Sequence, residues 1–278
     1  MNRNKIRLVL QTALATGILC TGLHFGTAAA ENLVIKGSTT VLPIAQAAAE
    51  AFMKKNPGAN VSISGGGSGD GIKALIDKTT DIADSSRDIK AEEIKLAESK
   101  GIKPKSHVIA IDAIVPIVHP SNPVRGVTTE QLSLIYQGKI TNWKEIGGSD
   151  RKISLISRDT SSGTYETWEQ KILHGARVTH RALLQASNGA IVQAVSKNKH
   201  AIGYIGLGYL NRTVKGLKVN GIEASETTAS NGKYPISRPL YMFTDGEPKG
   251  VSAKFIKFLL SAEGQAIVKQ EGFVPIKK

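Results

Sequence analysis

Val108-Ile109-Ala110-Ile111-Asp112-Ala113-Ile114-Val115-Pro116-Ile117-Val118, framed by His107 and His119, is a nearly continuous apolar run. Such a run predicts a buried strand. Strands in globular proteins usually end after five or six residues, so this one exceeds what a single small sheet needs. A strand of that length can leave one lobe and enter another. Residues 238–244 form the candidate return crossing, because a turn at Asp245-Gly246-Glu247-Pro248 and a C-terminal helix follow them. The alternative is one continuous domain with a single long, bent strand.

Outward from that run, strand-like segments fall at 33–36, 60–64, 81–84, 152–157, 201–205 and 217–219. Helical periodicity occupies 41–55, 71–78, 91–100, 129–136, 163–173, 190–197 and 251–271. Alternating strands and helices predict an α/β protein with mostly parallel sheets.

Four strand-to-helix junctions are rich in serine, threonine and glycine. They are Gly37-Ser38-Thr39-Thr40, Ser64-Gly65-Gly66-Gly67-Ser68-Gly69, Ser85-Ser86-Arg87-Asp88 and Arg158-Asp159-Thr160-Ser161-Ser162-Gly163-Thr164. A helix N-terminus presents unpaired N–H groups and partial positive charge, and nearby hydroxyls add donors, so each junction is a potential anion cradle. Taken singly, each could be an ordinary helix cap. The last is the most specific, because an arginine can grip a tetrahedral oxyanion with two parallel hydrogen bonds. The glycine-rich second loop is no nucleotide loop: Gly71 is followed by Ile72 and only then by Lys73. The dinucleotide pattern is met only weakly, through Gly69, Gly71 and Ala74.

Residues 1–30 read as an export signal. Arg3, Lys5 and Arg7 precede an apolar stretch, and Ala28-Ala29-Ala30 supplies small residues before a cut ahead of Glu31. A membrane-anchoring helix is the competing reading. Cys20, the only cysteine, lies in this segment, so the mature chain forms no disulfide. Removing the segment turns the formal charge of +13 into +10 over 248 residues. That excess suits small anions, nucleic acid or an acidic membrane surface. Aromatics make up only 5% of the chain, and no basic block is interleaved with them, which argues against a single-strand binder. Ser162 lacks the flanks of a hydrolase nucleophile elbow, and His174 and His180 are off the spacing of helical metal ligands. No catalytic residue, metal or cofactor is expected.

The four junctions, with Pro43, Ile72-Lys73, Asp81-Ile82-Ala83-Asp84-Ser85-Ser86-Arg87, Ala201-Ile202-Gly203-Tyr204 and Arg238-Pro239-Leu240-Tyr241, resemble the substrate-binding proteins of phosphate ABC transporters, the PstS family. The resemblance covers essentially the whole mature chain. It implies a two-lobed periplasmic binding protein fold (type II), with lobes at 31–111 plus 241–278 and at 112–240 and the ligand cleft between them. It also implies a monomer in the periplasm that binds inorganic phosphate, passes it to a membrane permease and binds no nucleic acid. Carried over by position, Thr39, Thr40 and Ser68 donate from one lobe, Ser86 sits at the wall, and Arg158, Ser162, Gly163 and Thr164 donate from the other. Two departures stand out. Ser86 occupies the place where family members carry an aspartate that accepts the phosphate proton. The arginine's acidic neighbour, Asp159, comes one residue after it rather than two. Asp84, Asp159 and Asp70 are the candidates for the missing acceptor. Without one, a site made of donors would tolerate sulfate, so a sulfate-like oxyanion binder is the first alternative function. A phosphate-ester hydrolase is the second.

Overall fold

The computed structural model describes residues 31–276, so the expected export signal lies outside the described residues. The chain opens with β1 (Glu31–Gly37), α1 (Leu42–Lys55), β2 (Ala59–Gly65), α2 (Ser68–Ile76), β3 (Ile82–Ser85) and α3 (Ala91–Ser99). Pro43 falls in the first turn of α1, where a missing N–H costs nothing. Ile44, Ala45, Ala48, Ala49 and Phe52 recur at helical spacing and are buried on one face. They pack on Leu33 and Ile35 of β1, and full burial of each large apolar side chain contributes about 1.5–3 kcal/mol.

The long apolar run is β4 (Pro104–Val118), fifteen residues in one strand. After it come β5 (Gly126–Val127), α4 (Thr129–Tyr136), β6 (Ser154–Arg158), α5 (Gly163–Trp168), β7 (Leu183–Gln185), α6 (Asn188–Ser196), β8 (Ala201–Gly206), β9 (Lys215–Gly216), β10 (Lys218–Val219) and α7 (Glu226–Ser230). The chain closes with β11 (Ser237–Asp245), α8 (Gly250–Leu259) and α9 (Ala262–Gln270). The main sheet runs β2-β1-β3-β11-β4-β8-β6-β7.

Within that sheet β4 changes partners. From Pro104 to Ala113 it pairs with β11, and from Ile114 to Val118 with β8. The hydrophobic interior divides at the same point. Ile109 and Ala110 join Leu33, Phe52, Leu240 and Phe255 in one core, while Ile114 and Val118 join Tyr136, Trp143, Trp168 and Tyr204 in another.

Two expectations need correction. The sheet is mixed: β1, β2 and β3 are parallel, and so are β6, β7 and β8, as expected, but β11 runs antiparallel to β3 and β4, and β4 antiparallel to β8. Strand direction is set by the crossing and return of the chain, which local alternation does not encode. The helix expected over 251–271 is two, α8 and α9. Ser261 caps the second by accepting from Gly264 N at 3.3 Å, while the apolar spacing runs on through the break.

Candidate anion-binding site

The four junctions meet at one place. Thr40 Oγ1 and Thr164 Oγ1 are 2.9 Å apart, Gly69 N donates to Ser161 O at 3.0 Å, and Ser86 N donates to Ser68 Oγ at 3.0 Å. First, second and third loops thus lie against the fourth or one another, and all eight expected residues, Thr39, Thr40, Ser68, Ser86, Arg158, Ser162, Gly163 and Thr164, are buried. Close approach depends on glycine. Gly37 has φ of +143°, and a Cβ there would lie 2.1 Å from the Asp84 carbonyl oxygen. That geometry lets Ser38 N donate to Asp84 O at 2.9 Å, which holds the first loop beside the third.

Arg158 ends β6, and its backbone N–H donates to the Tyr204 hydroxyl at 3.2 Å. Tyr204 is itself fixed, with its ring stacked on Trp168 at 4.2 Å and its hydroxyl 2.8 Å from Ser157 Oγ. Burial pushes that phenol up to about 12, so it stays neutral over the working pH range. The Arg158 guanidinium donates from Nε to Gln185 O at 3.0 Å and from Nη2 to Ala186 O at 2.9 Å. Its remaining N–H groups have no protein acceptor among the described residues. Asp159 lies 3.7 Å away, and its Oδ1 is taken by the Ser161 N–H and hydroxyl at 3.0 and 2.7 Å. Burial lowers the Arg158 pKa, with Asp159 opposing, but a guanidinium starts so high that it remains a cation. Ser162 caps α5, accepting from Tyr165 N at 3.3 Å.

Three residues not expected at the site are there. Arg238 donates from Nε and Nη2 to Asp112 Oδ2 at 3.1 and 2.9 Å, from Nη1 to Gly163 O at 3.2 Å, and from Nη2 to Thr164 Oγ1 at 2.9 Å. Burial pushes the Asp112 carboxyl up and the Arg238 guanidinium down, and their pairing opposes both shifts. Asn188 Nδ2 donates to Thr39 and Thr40 Oγ1 at 3.2 and 3.0 Å, with its Oδ1 accepting from Gly206 N at 3.0 Å. A signal for two of them was present: Asp112 is the only charge in the 108–118 run, and Arg238 heads the return strand. Asn188 had only the start of a helix to mark it.

The three acidic candidates separate by environment. Asp70 is exposed. Asp159 is half-buried and engaged with Ser161 through Oδ1, while its Oδ2 has no hydrogen-bond partner. Asp84 is fully buried, its Oδ1 has no hydrogen-bond partner, and burial pushes its pKa well above the usual carboxylate range. Arg87 of the third loop faces away from an anion role. It grips Glu93 with Nη1 and Nη2 at 2.8 and 2.7 Å and reaches Glu166 of α5 with Nε at 2.8 Å, where Lys90 joins at 2.7 Å.

A sheet divided along one long strand, with a buried arginine, hydroxyls and helix-start amides gathered between its parts, defines a two-lobed binding protein of the α/β class. Residues 25–263 match the PBP superfamily domain. The phosphate-binding protein PstS of Borreliella burgdorferi is 38% identical over 256 residues, covering 87% of this chain and 89% of its own length. PstS of Bacillus subtilis is 33% identical over 250 residues, covering 89% and 82%. A phosphate ABC transporter substrate-binding protein from Clostridium perfringens, solved with bound phosphate, superposes with a TM-score of 0.83 at 38% identity over 89% of this chain and 100% of its own. An ABC-type phosphate transport receptor from Vibrio cholerae gives a TM-score of 0.72 at 30% identity over 88% and 100%. The chain belongs to the PstS family of phosphate-binding proteins within the PBP superfamily.

Proposed function

We propose that this protein captures inorganic phosphate outside the cytoplasmic membrane, as a monomer, and delivers it to the permease of an ABC transporter. The lobes are 31–111 with 241–278 and 112–240, and β4 and β11 are the strands that join them. The observation that carries this reading is the meeting of Arg158 and the α5 start with the Thr39-Thr40 and Ser68 loops. Groups from both lobes then touch one anion only when the cleft is shut, so phosphate favours the shut form by its added contacts. Thr39, Thr40, Ser68, Ser86, Arg158, Ser162, Gly163 and Thr164 are its binding residues. No helix among the described residues is long and apolar enough to cross a membrane. Calorimetry should give one saturable site for phosphate and no salt-sensitive uptake of an oligonucleotide. Binding that titrates away with salt and ignores phosphate would refute the reading.

Asp84 is the proposed acceptor of the phosphate proton: it is fully buried and accepts from no donor, whereas Asp159, whose Oδ2 is likewise without a partner, is only half-buried and is engaged through Oδ1 by Ser161. Hydrogen phosphate can supply that donor and sulfate cannot. In the Asp84→Asn variant the preference for phosphate over sulfate should shrink by about tenfold or more, since an unmatched buried polar contact costs about 1–3 kcal/mol. An unchanged preference would move the role elsewhere. The same residue sets a pH dependence. Its folded pKa is raised, so the folded state holds the proton more tightly than the unfolded one. Stability is therefore greatest below the unfolded value and falls as pH rises toward the folded one. Asp84→Asn removes that loss, and in phosphate-free buffer should raise Tm more at pH 7 than at pH 4.

Glu166 joins α5 to Arg87 and Lys90 across the cleft, with side chains largely withdrawn from water at Arg87 and Glu166. Opening breaks this contact, while Arg87 keeps Glu93. Glu166→Gln should speed phosphate dissociation about tenfold with little change in Tm without phosphate, because it removes a partly desolvated ion pair made only in the shut form. Stopped-flow displacement measures it, and an unchanged off-rate would show that the contact is incidental.

A further inference from the structure

We infer that the free edge of β7 is a docking site for an extended, acidic segment of another protein, which adds to the main sheet as one more strand. β7 is the last strand of that sheet, with β6 on one side and no strand on the other. Its register on β6 sets Ser157 beside Leu184, and the Asp159 N–H donates to Gln185 O at 3.3 Å. Backbone groups alternate in direction along a parallel strand, so Leu183 and Gln185 turn theirs toward β6 while Leu184 turns its N–H and C=O outward. Neither of those two groups has a protein partner among the described residues. Leu183 and Leu184 are 60% and 58% exposed and, as neighbours in a strand, project from opposite faces. An incoming strand finds here an unpaired donor, an unpaired acceptor and an apolar contact on each face of the sheet.

Charge identifies the occupant. Between Glu169 and Glu223 the chain holds eight lysines and arginines and no acid, which is +8 of the +10 carried after residue 30. Around β7 these cations and their neighbour Lys152 stand free: Lys152, Arg177 and Arg181 are exposed, and none pairs with a carboxylate among the described residues. They line two grooves beside the edge, one of 530 Å³ with Arg177, His180 and Leu184, and one of 460 Å³ with Lys152, Leu155 and Arg181. The second groove opens where β6 runs on without a neighbour, because β7 covers only Ile156 to Arg158. A second copy of this chain would set the same cations against one another. An anionic bilayer would suit the cations and the leucines but leave the Leu184 N–H and C=O unpaired in hydrocarbon. A strand that carries aspartate or glutamate satisfies the backbone edge, the leucines and the cations together. None of these side chains belongs to the anion cage, so the inference does not rest on the phosphate reading.

Fluorescence anisotropy with a labelled (Asp-Val)4 peptide tests the site, with (Lys-Val)4 as the charge-reversed control. The acidic peptide should bind one-to-one and saturably, and the basic one at least about tenfold more weakly. Arg177→Gln/Arg181→Gln should weaken the acidic peptide by about fivefold and flatten its salt dependence. Leu184→Pro removes only an outward N–H, which an edge strand tolerates, and should bind about fivefold more weakly than Leu184→Ala. If the proline variant does not fold, amide hydrogen exchange on the wild type gives the same answer without a substitution. Saturating acidic peptide should slow exchange of the Leu184 N–H by about tenfold or more, because that group gains an acceptor. Absence of saturable uptake, equal uptake of (Lys-Val)4, or an unchanged Leu184 exchange rate at saturation would overturn the inference. So would protein that ignores the acidic peptide but binds phosphatidylglycerol vesicles, which assigns the edge to a membrane. A dimer that Leu184→Asp dissolves would overturn it too, in favour of a second copy.

Discussion

Replacing Arg158 by alanine should abolish phosphate binding, with a loss of about a hundredfold to ten-thousandfold in affinity. Two charge-assisted hydrogen bonds to an oxyanion are each worth about 1.5–3 kcal/mol, and every 1.4 kcal/mol is a factor of ten. The expectation is strong because Arg158 is already held in place. Gln185 O and Ala186 O take two of its N–H groups and leave the others without a protein acceptor. Lysine should not rescue it, since an ammonium group cannot reproduce a fork that is anchored at one side and free at the other. Ala186 O loses its partner in either variant but belongs to an exposed residue, and Gln185 O keeps the Asp159 N–H at 3.3 Å, so the accompanying loss of stability should be small. Calorimetry run well below the variant's own melting temperature separates the two effects. Retention of affinity within about fivefold would mean that another cation holds the anion.

Gly163→Ala should be nearly as damaging, by another route. A Cβ at this position would stand 2.3 Å from Ser68 Oγ, 2.8 Å from Ser68 Cβ and 2.8 Å from Ser86 Oγ. Carbon and oxygen prefer roughly 3.5 Å or more, so the second and third loops cannot approach the fourth. In an opened cleft the same methyl group meets no such wall. The variant should therefore fold and melt like the wild type without phosphate, yet lose the Tm rise that phosphate confers on a state-selective binder. Gly58→Ala is the matched control, because nothing lies within 4 Å of its Cβ position. A phosphate-induced Tm rise equal to the wild type's would show that the cleft shuts differently from the arrangement described.

Much of the fold was legible because its signals are local. The apolar spacing of α1, the length of β4 and the glycine and hydroxyl content of the junctions depend only on neighbours within a turn or a strand. The sheet's mixed direction was not legible, since β11 reaches its partners β3 and β4 from more than a hundred residues away in sequence. The division of 251–271 into α8 and α9 was hidden by an apolar rhythm that continues across Ser261. Only packing reveals it: Gly264 lies so close to the end of α8 that a Cβ would stand 2.3 Å from Leu259 O.

By itself the sequence determined the alternating elements, the long crossing strand and four junctions able to offer N–H and hydroxyl donors. These follow from dihedral preference, periodicity and unpaired helix-start amides, all short-range properties. Only the tertiary structure decided which junctions meet, that Asp159 is engaged by Ser161, that Asp84 is buried without a donor, and that Arg238, Asp112 and Asn188 stand behind Thr40 and Thr164. Once water is excluded, a buried polar group must bond to whatever the chain's long-range pairing sets beside it. For Arg238 that neighbour is Asp112, brought opposite it by the register of β11 on β4.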